Sequence, residues 1–447
     1  MKFKFKAPWF FSRRDLIINA TIDSILYCLF FSGLLGSNNE YNYFQVFLNS
    51  FSTFLIWLLF SYVVGRYHFE SDKTIPFIAK DILLISSFFL FLYTISISFN
   101  VFDLLKYSDL SIDKLILFSL LTISLRLLFR IFYLRTSSNV YPWIFLGNKK
   151  TFDKLLKELP TNHKSNFINI LHLDIANIKT MNHLSGIILE NKEELNPKDL
   201  KYMLELKNKG VKVIRMIDWL DNFLERLPTI LFINNESAFI NLKNSKRLGI
   251  DMRLKRLGDI TLSLFLILIT LPLTVLAILF IYIEDQGNIF YSQKRCGLSG
   301  EIFKITKLRT MYLNAEDKGS MWSQRNDPRV TKVGRILRRT RIDELPQLIS
   351  VIKGDMSLIG PRPERPEFDR DLIEKIPLYQ MRYSMRPGLS GWAQVNFPYG
   401  ASIEDAKIKL SYDIYYLRNF SFWIDILILF KTIRLVFNAK GSEPKIK

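Results

Sequence analysis

Asp343 and Glu344 stand side by side in Arg338-Arg339-Thr340-Arg341-Ile342-Asp343-Glu344-Leu345-Pro346-Gln347-Leu348. Leu345, Leu348, Ile349 and Ile352 recur at i, i+3, i+4, i+7, and proline is tolerated in a first helical turn, so the spacing predicts a helix from about Asp343. A carboxylate there feels the positive helix end and the nearby arginines, and both favour its ionised form. An ionised aspartate serves as a nucleophile or as a Mg2+ ligand. The same residues also make an ordinary helix start, with Asp343 as N-cap and Glu344 as a first-turn acid. The patch alone leaves both readings open.

Three further patches carry fixed cations. Lys307-Leu308-Arg309-Thr310-Met311 follows a strand-like run, and by itself is also what a solvated strand end looks like. In Gly354-Asp355-Met356-Ser357-Leu358-Ile359-Gly360-Pro361-Arg362-Pro363-Glu364, two prolines fix the backbone around Arg362 and hold its guanidinium for a phosphate oxygen pair. Arg386-Pro387-Gly388-Leu389-Ser390-Gly391-Trp392-Ala393-Gln394-Val395 sets Arg386 on another Pro-Gly turn. Either turn alone fits a structural role; two beside an acidic pair point to anion chemistry.

The elements that must position these residues follow from composition and hydropathy. The chain has 447 residues, enough for about three structural units. Lys and Arg number 61 against 42 Asp and Glu, a formal charge of +19, while 49% of residues are apolar. A basic chain this apolar suits a membrane surface with phosphorylated ligands, and nucleic acid is not an expected partner. Cys28 and Cys296 are far apart and the four histidines are scattered, which excludes a disulfide scaffold and a zinc site.

Four apolar stretches, 16–35, 43–64, 77–99 and 115–134, each approach the length a spanning helix needs. Basic residues collect before the first, between the second and third, and at the end of the fourth, so four spans with both termini in the cytoplasm satisfy the positive-inside rule. A fifth stretch, 260–283, contains Pro272 and has cations on both flanks: Arg253, Lys255 and Arg256 before it, Lys294 and Arg295 after it. A helix-break-helix that enters one leaflet and returns keeps both flanks on one side; a straight span does not.

Between 140 and 235 short apolar runs alternate with helical ones, the pattern of a small parallel α/β domain. Its first strand ends in Gly147-Asn148-Lys149-Lys150-Thr151, which lacks the G-x-G-x-x-G needed for close approach to a pyrophosphate. A structural or regulatory Rossmann-like domain fits better than a dinucleotide-binding one. The run 417–437, apolar but punctuated by Asp425, Lys431 and Arg434, reads as an interfacial helix.

In this order the Pro272 helix, KLRTM, RIDELPQL, GDMSLIGPRPE, RPGLSGWAQVN and KLSYDIYYLRNFS resemble the bacterial sugar transferase family, the polyprenyl-phosphate hexose-1-phosphate transferases, over about 253–437. The preceding segments look like that family's large form. The resemblance implies a four-helix transmembrane bundle at 1–138, a degenerate Rossmann-like α/β domain at 139–245, and a catalytic domain at 246–447 with a re-entrant membrane helix at 258–283 and interfacial helices. It also implies Asp343 and Glu344 as a catalytic acidic pair with Mg2+ beside them, and Lys307, Arg338 and Arg362 as phosphate-handling residues; Arg309 and Arg386, from their own patches, are further candidates for binding substrate phosphate. Pro272 becomes the turn of the membrane hairpin. Departures include Leu271, where the family often has Ser, and Phe397, where a glycine often follows Val-Asn.

The implied activity is transfer of a hexose-1-phosphate from a UDP-sugar to polyprenyl (undecaprenyl) phosphate with release of UMP, at the cytoplasmic face of a bacterial inner membrane. It would open exopolysaccharide, capsule or O-antigen assembly, through a phosphosugar on Asp343 or by direct displacement. Membrane lipids, a second copy of the chain and downstream glycosyltransferases are the expected partners. A nucleotide-sugar dehydratase or epimerase would need a Tyr-x-x-x-Lys pair, which none of the 19 tyrosines supplies. A non-catalytic scaffold would have no need of the acidic pair.

Overall fold

The structure is a computed structural model describing residues 20–27, 142–159, 169–174, 178, 184–190, 196–232, 245–313, 315, 327–397, 400 and 402–437, with single helical residues within 51–61 and 120–128. The four expected spans lie almost wholly outside the described residues; 20–27, within the first, is helical. The elements in chain order are β1 (Trp143–Leu146), α1 (Lys149–Glu158), β2 (Ile170–His172), β3 (Gly186–Leu189), α2 (Pro197–Asn208), β4 (Lys212–Arg215) and α3 (Met216–Phe223). They continue with α4 (Ser245–Asp285), β5 (Phe290–Cys296), β6 (Ile302–Leu308), α5 (Lys332–Thr340), α6 (Leu348–Lys353) and β7 (Ser357–Ile359). The last are α7 (Pro366–Lys375), β8 (Gly388–Ser390), α8 (Trp392–Asn396), α9 (Ile403–Asn419) and α10 (Phe422–Phe437). The protein is thus mostly helical with a small parallel sheet, and α4 is long and apolar enough over Asp251–Asp285 to cross a membrane.

Two compact units emerge, one of Phe10–Gly147 with Pro160–Ile214, the other of Asn148–Leu159 with Arg215–Lys447. In the first, four strands run in the order β2-β1-β3-β4, with β2 and β3 both parallel to β1. The expected alternation of strands and helices is present. Ile144, Leu146, Ile187 and Leu189 are buried with Met203 of α2, as near-continuous apolar strands in a parallel sheet require. Pro197 opens α2, where a missing N–H costs nothing.

The second unit is built around α4. The helix runs through Pro272 without interruption, so the expected break is absent. Proline deletes the N–H that would reach Leu268 O, yet one lost bond is tolerable when the rest of the ladder persists. Thr270 and Thr274 donate their hydroxyls back to Leu266 O and Thr270 O at 2.7 and 2.9 Å, a pattern that bends helices.

Both ends of α4 dock on the same unit. Near its start, Lys255 pairs with Asp425 of α10 at 2.7 Å, Arg256 donates to Val351 O and Ile352 O at the end of α6, and Asp259 accepts from Leu358 N at 3.0 Å. Near its end, Ala277 and Ile281 form a buried cluster with Leu308 of β6 and Leu337 of α5, and Glu284 accepts from Val333 N. The middle is bare: Leu268 is 72% exposed. Antiparallel β5 and β6 extend from this cluster and deliver Lys307 to the site.

Candidate active site

Helix α5 ends where Arg341 takes a left-handed conformation, φ 62° and ψ 16°, and closes the helix with its own N–H. A 3-10 turn, Ile342–Gln347, follows at once and carries both acids before α6 begins. The expected α-helix from Asp343 is therefore a 3-10 turn with Arg341 at its N-cap position, and Asp343 is not a cap. The reason is local: a left-handed residue before the turn and Pro346 within it stop the regular i to i−4 ladder from starting there.

Glu344 and Asp343 are both buried but bonded differently. Glu344 Oε1 accepts from Arg362 Nη2 at 2.6 Å and lies 3.5 Å from both Lys307 Nζ and Arg341 Nη1. Burial resists its charge, but Arg362, Lys307 and Arg341 together hold its carboxyl well below the usual carboxylate range. Asp343 Oδ1 is buried with no hydrogen-bond partner. Burial, then the Glu344 charge, push the Asp343 carboxyl up to about 6 against the pull of Lys307, Arg338 and Arg341. The flanking cations expected to secure its ionised form are outweighed by desolvation. Burial likewise lowers Lys307 to about 8, opposed by Glu344.

The two acids open on a cavity of about 570 Å³ lined by ten cationic side chains and four carboxylates. Lys307, Arg309, Arg338 and Arg362 all line it. Arg338 Nε donates to Thr310 Oγ1 at 2.8 Å, and α5 comes close enough for this only because Gly334 carries no Cβ, which would sit 2.2 Å from Thr310 O. Arg309 is also tied to Asp285 at the end of α4, so part of its charge is already spent.

Arg362 is fixed by more than its prolines. Four successive carbonyls of its loop are held: Pro361 O by Gly388 N at 2.9 Å, Arg362 O by Arg382 at 2.6 Å, Pro363 O by Arg295 at 3.0 Å and Glu364 O by Cys296 N at 2.9 Å. Arg382, itself buried, also reaches Tyr379 and Asp413. Arg295, Arg382, Tyr379, Asp413 and Lys409 also line the cavity; Lys409 and Asp413 belong to the KLSYDIYYLRNFS segment and Arg295 to the flank of the fifth apolar stretch, but none of the five carries a site role in the sequence reading. Arg386 is placed apart: its Nε donates to Gly354 O at 2.9 Å and it does not line the cavity.

A family model described as bacterial sugar transferase matches residues 250–439. An Aeromonas hydrophila UDP-N-acetylgalactosamine-undecaprenyl-phosphate N-acetylgalactosaminephosphotransferase is 44% identical over 190 residues, 42% of this chain and 45% of that protein. A Bacillus subtilis uncharacterized sugar transferase, EpsL, is 38% identical over 43% of this chain and 91% of its own length. A Caulobacter vibrioides UDP-glucose:undecaprenyl-phosphate glucose-1-phosphate transferase is 42% identical over 189 residues, 42% of this chain and 70% of that protein. This chain belongs to the bacterial sugar transferase family. It spans less than half of the Aeromonas relative, and the segment that the family model matches is the one that carries the cavity.

Membership in the family raises the question of Mg2+. Among the described residues no three His, Cys, Asp or Glu side chains converge on a metal position. Mg2+ needs fewer, since it commonly takes one or two carboxylates and completes its shell with substrate phosphates and water. The unpartnered Asp343 Oδ1 fits one such ligand; Glu344 Oε1 is already shared among three cations.

Proposed function

We propose that this bacterial sugar transferase moves a hexose-1-phosphate from a UDP-hexose to undecaprenyl phosphate, and that Asp343 is the nucleophile. The observation that carries the reading is the unequal acidic pair: Glu344 is neutralised by Arg362, Lys307 and Arg341, while Asp343, with a buried oxygen that has no hydrogen-bond partner, lines a cationic cavity. In the first step an Asp343 carboxylate oxygen forms a bond to the sugar-bearing phosphorus, the phosphoanhydride bond breaks, and its electron pair leaves with UMP. In the second, an oxygen of undecaprenyl phosphate bonds to that phosphorus and the Asp343 carboxylate leaves. Arg338 and Arg362 face the developing phosphoryl charge, and a buried cationic wall is worth more there than in water.

The Asp343 carboxylate oxygen that does not attack would hold Mg2+, which when bound supplies charge neutralisation of the diphosphate. Glu344 keeps Arg362 and Lys307 in place. The exposed apolar middle of α4, with both ends docked on one unit, supports insertion into one leaflet with both flanks on the cytoplasmic side rather than a full span. With the four sequence-read spans this gives a multi-pass protein of the bacterial inner membrane whose catalytic unit faces the cytoplasm. A homodimer and contact with downstream glycosyltransferases belong to the same reading. Incubating membranes with a panel of UDP-sugars and undecaprenyl phosphate tests it: UMP and lipid-linked sugar should appear together, and absence of both with every UDP-sugar refutes it.

A further inference from the structure

Besides its carboxylates, the cavity is lined by a neutral amide whose acceptor end has no partner. Gln394 of α8 donates its Nε2 to Leu389 O at 2.9 Å. A carbonyl only accepts, so this bond fixes which end of the amide is nitrogen. Gln394 Oε1 is then a buried acceptor with no partner, on a side chain that lines the cavity.

The helix that carries it is anchored on several sides. Trp392 donates its indole N–H to Glu225 O at 2.9 Å and stacks on Tyr415 with centroids 5.5 Å apart. Asn396 donates to Trp392 O at 2.8 Å and accepts from Lys431 at 2.6 Å. Gly391 leaves room for the amide, since a Cβ there would come within 2.9 Å of Gln394 Oε1. An orphan buried acceptor is costly, so an acceptor held this firmly calls for a donor from a ligand.

We propose that Gln394 is a specificity-determining residue of the UDP-sugar subsite, accepting a hydrogen bond from an N–H or O–H of the donor substrate. The inference rests on the transferase reading above and deepens it. The two substrates differ in this chemistry. A UDP-sugar carries donors on uracil N3, the ribose and the hexose. A polyprenyl phosphate above its second ionisation, near pH 6, has only acceptor oxygens and no use for Gln394. Gln394 therefore separates the nucleotide-sugar part of the cavity from the lipid-phosphate part.

The test is calorimetric binding to the full-length protein at pH 8, with UDP-glucose, UDP-N-acetylgalactosamine, UDP and undecaprenyl phosphate as separate probes. Gln394→Met, close in volume but without the acceptor, should weaken binding of UDP-sugar about tenfold and leave undecaprenyl phosphate unchanged. If the donor is nucleosidic, UDP weakens equally; if it belongs to the hexose, only the UDP-sugars do. On wild type, N3-methyl and singly deoxygenated UDP-glucose locate the donor without any mutation, so a misfolded variant does not shelter the idea. Equal losses for nucleotide and lipid, no loss for either, or wild type indifferent to every analogue would overturn the assignment. UDP-sugar binding without UMP release overturns the reaction and leaves Gln394 standing. Turnover unaffected by Gln394→Met does the opposite, and a wild type that binds no UDP-sugar removes both.

Discussion

Arg362 Nη2 donates to Glu344 Oε1 at 2.6 Å, and this bond divides the labour of the acidic pair. It commits Glu344 to the cations around it, while Asp343, whose Oδ1 is buried without a hydrogen-bond partner, lines the cavity beside it. Two adjacent carboxylates in one buried turn would otherwise repel and share a proton.

Arg362 and Arg386 sit on similar proline turns but have different tasks. Arg362→Ala should cut kcat/KM about 100-fold or more, since it removes a phosphate-facing cation and unpairs buried Glu344. Arg386→Ala should lower stability by about 1–2 kcal/mol through the lost bond to Gly354 O while steady-state KM stays within about twofold. Thermal unfolding and UMP-release kinetics on both variants distinguish these outcomes.

The pH profile follows from Asp343. Its carboxyl is raised by burial to about 6, so the single-turnover rate of UMP release from the UDP-sugar without added lipid should fall with a slope of one as pH drops through about 6. For stability the sign reverses. A raised carboxyl favours the native state only below the unfolded value near 4, and that advantage is lost as pH rises through about 6. Asp343→Asn should therefore be more stable than wild type at pH 7, by up to about 2–3 kcal/mol, with the gap closing below pH 4. Chemical denaturation at the two pH values reads this directly.

Strands β7 and β8 are parallel, Ser357 opposite Gly388 and Ile359 opposite Ser390, and their approach depends on absent side chains. A Cβ on Gly388 would lie 2.0 Å from Gly360 N, a backbone atom with nowhere to go. Gly388→Ala should destabilise by about 1–3 kcal/mol and, by loosening Arg362, cost activity as well. Gly258→Ala, where a Cβ meets nothing within 4 Å inside α4, should be neutral or stabilising.

The chemistry was legible where residues are clustered along the chain. Asp343, Glu344, Lys307, Arg338 and Arg362 were all expected, and all line one cavity. Arg386 was misassigned because an arginine on a Pro-Gly turn looks alike whether it faces a ligand or a carbonyl. Arg295, Arg382 and Gln394 were missed because their partners, Pro363 O, Arg362 O and Leu389 O, are backbone atoms that no residue type advertises. Of the apolar stripe through Leu345, Leu348, Ile349 and Ile352 that predicted the helix, Leu348 is buried while Ile349 is 54% exposed. The 3-10 winding of Ile342–Gln347 shifts the angular period that the stripe assumed.

The topology of α4 is open to labelling. Arg253→Cys and Lys294→Cys, both exposed and flanking the apolar stretch, should react with a membrane-impermeant maleimide from the cytoplasmic side only. Reaction of one from each side would make α4 a span and contradict the re-entrant reading.

The central claim is the covalent role of Asp343, and the most direct measurement is rapid-quench peptide mass spectrometry. Wild type mixed with UDP-sugar and Mg2+, without lipid, should release a burst of UMP and carry one hexose phosphate on the peptide containing Asp343, while Asp343→Asn shows neither. UMP appearing only once undecaprenyl phosphate is also present, with no phosphosugar on that peptide at any quench time, would contradict it and make the transfer a direct displacement.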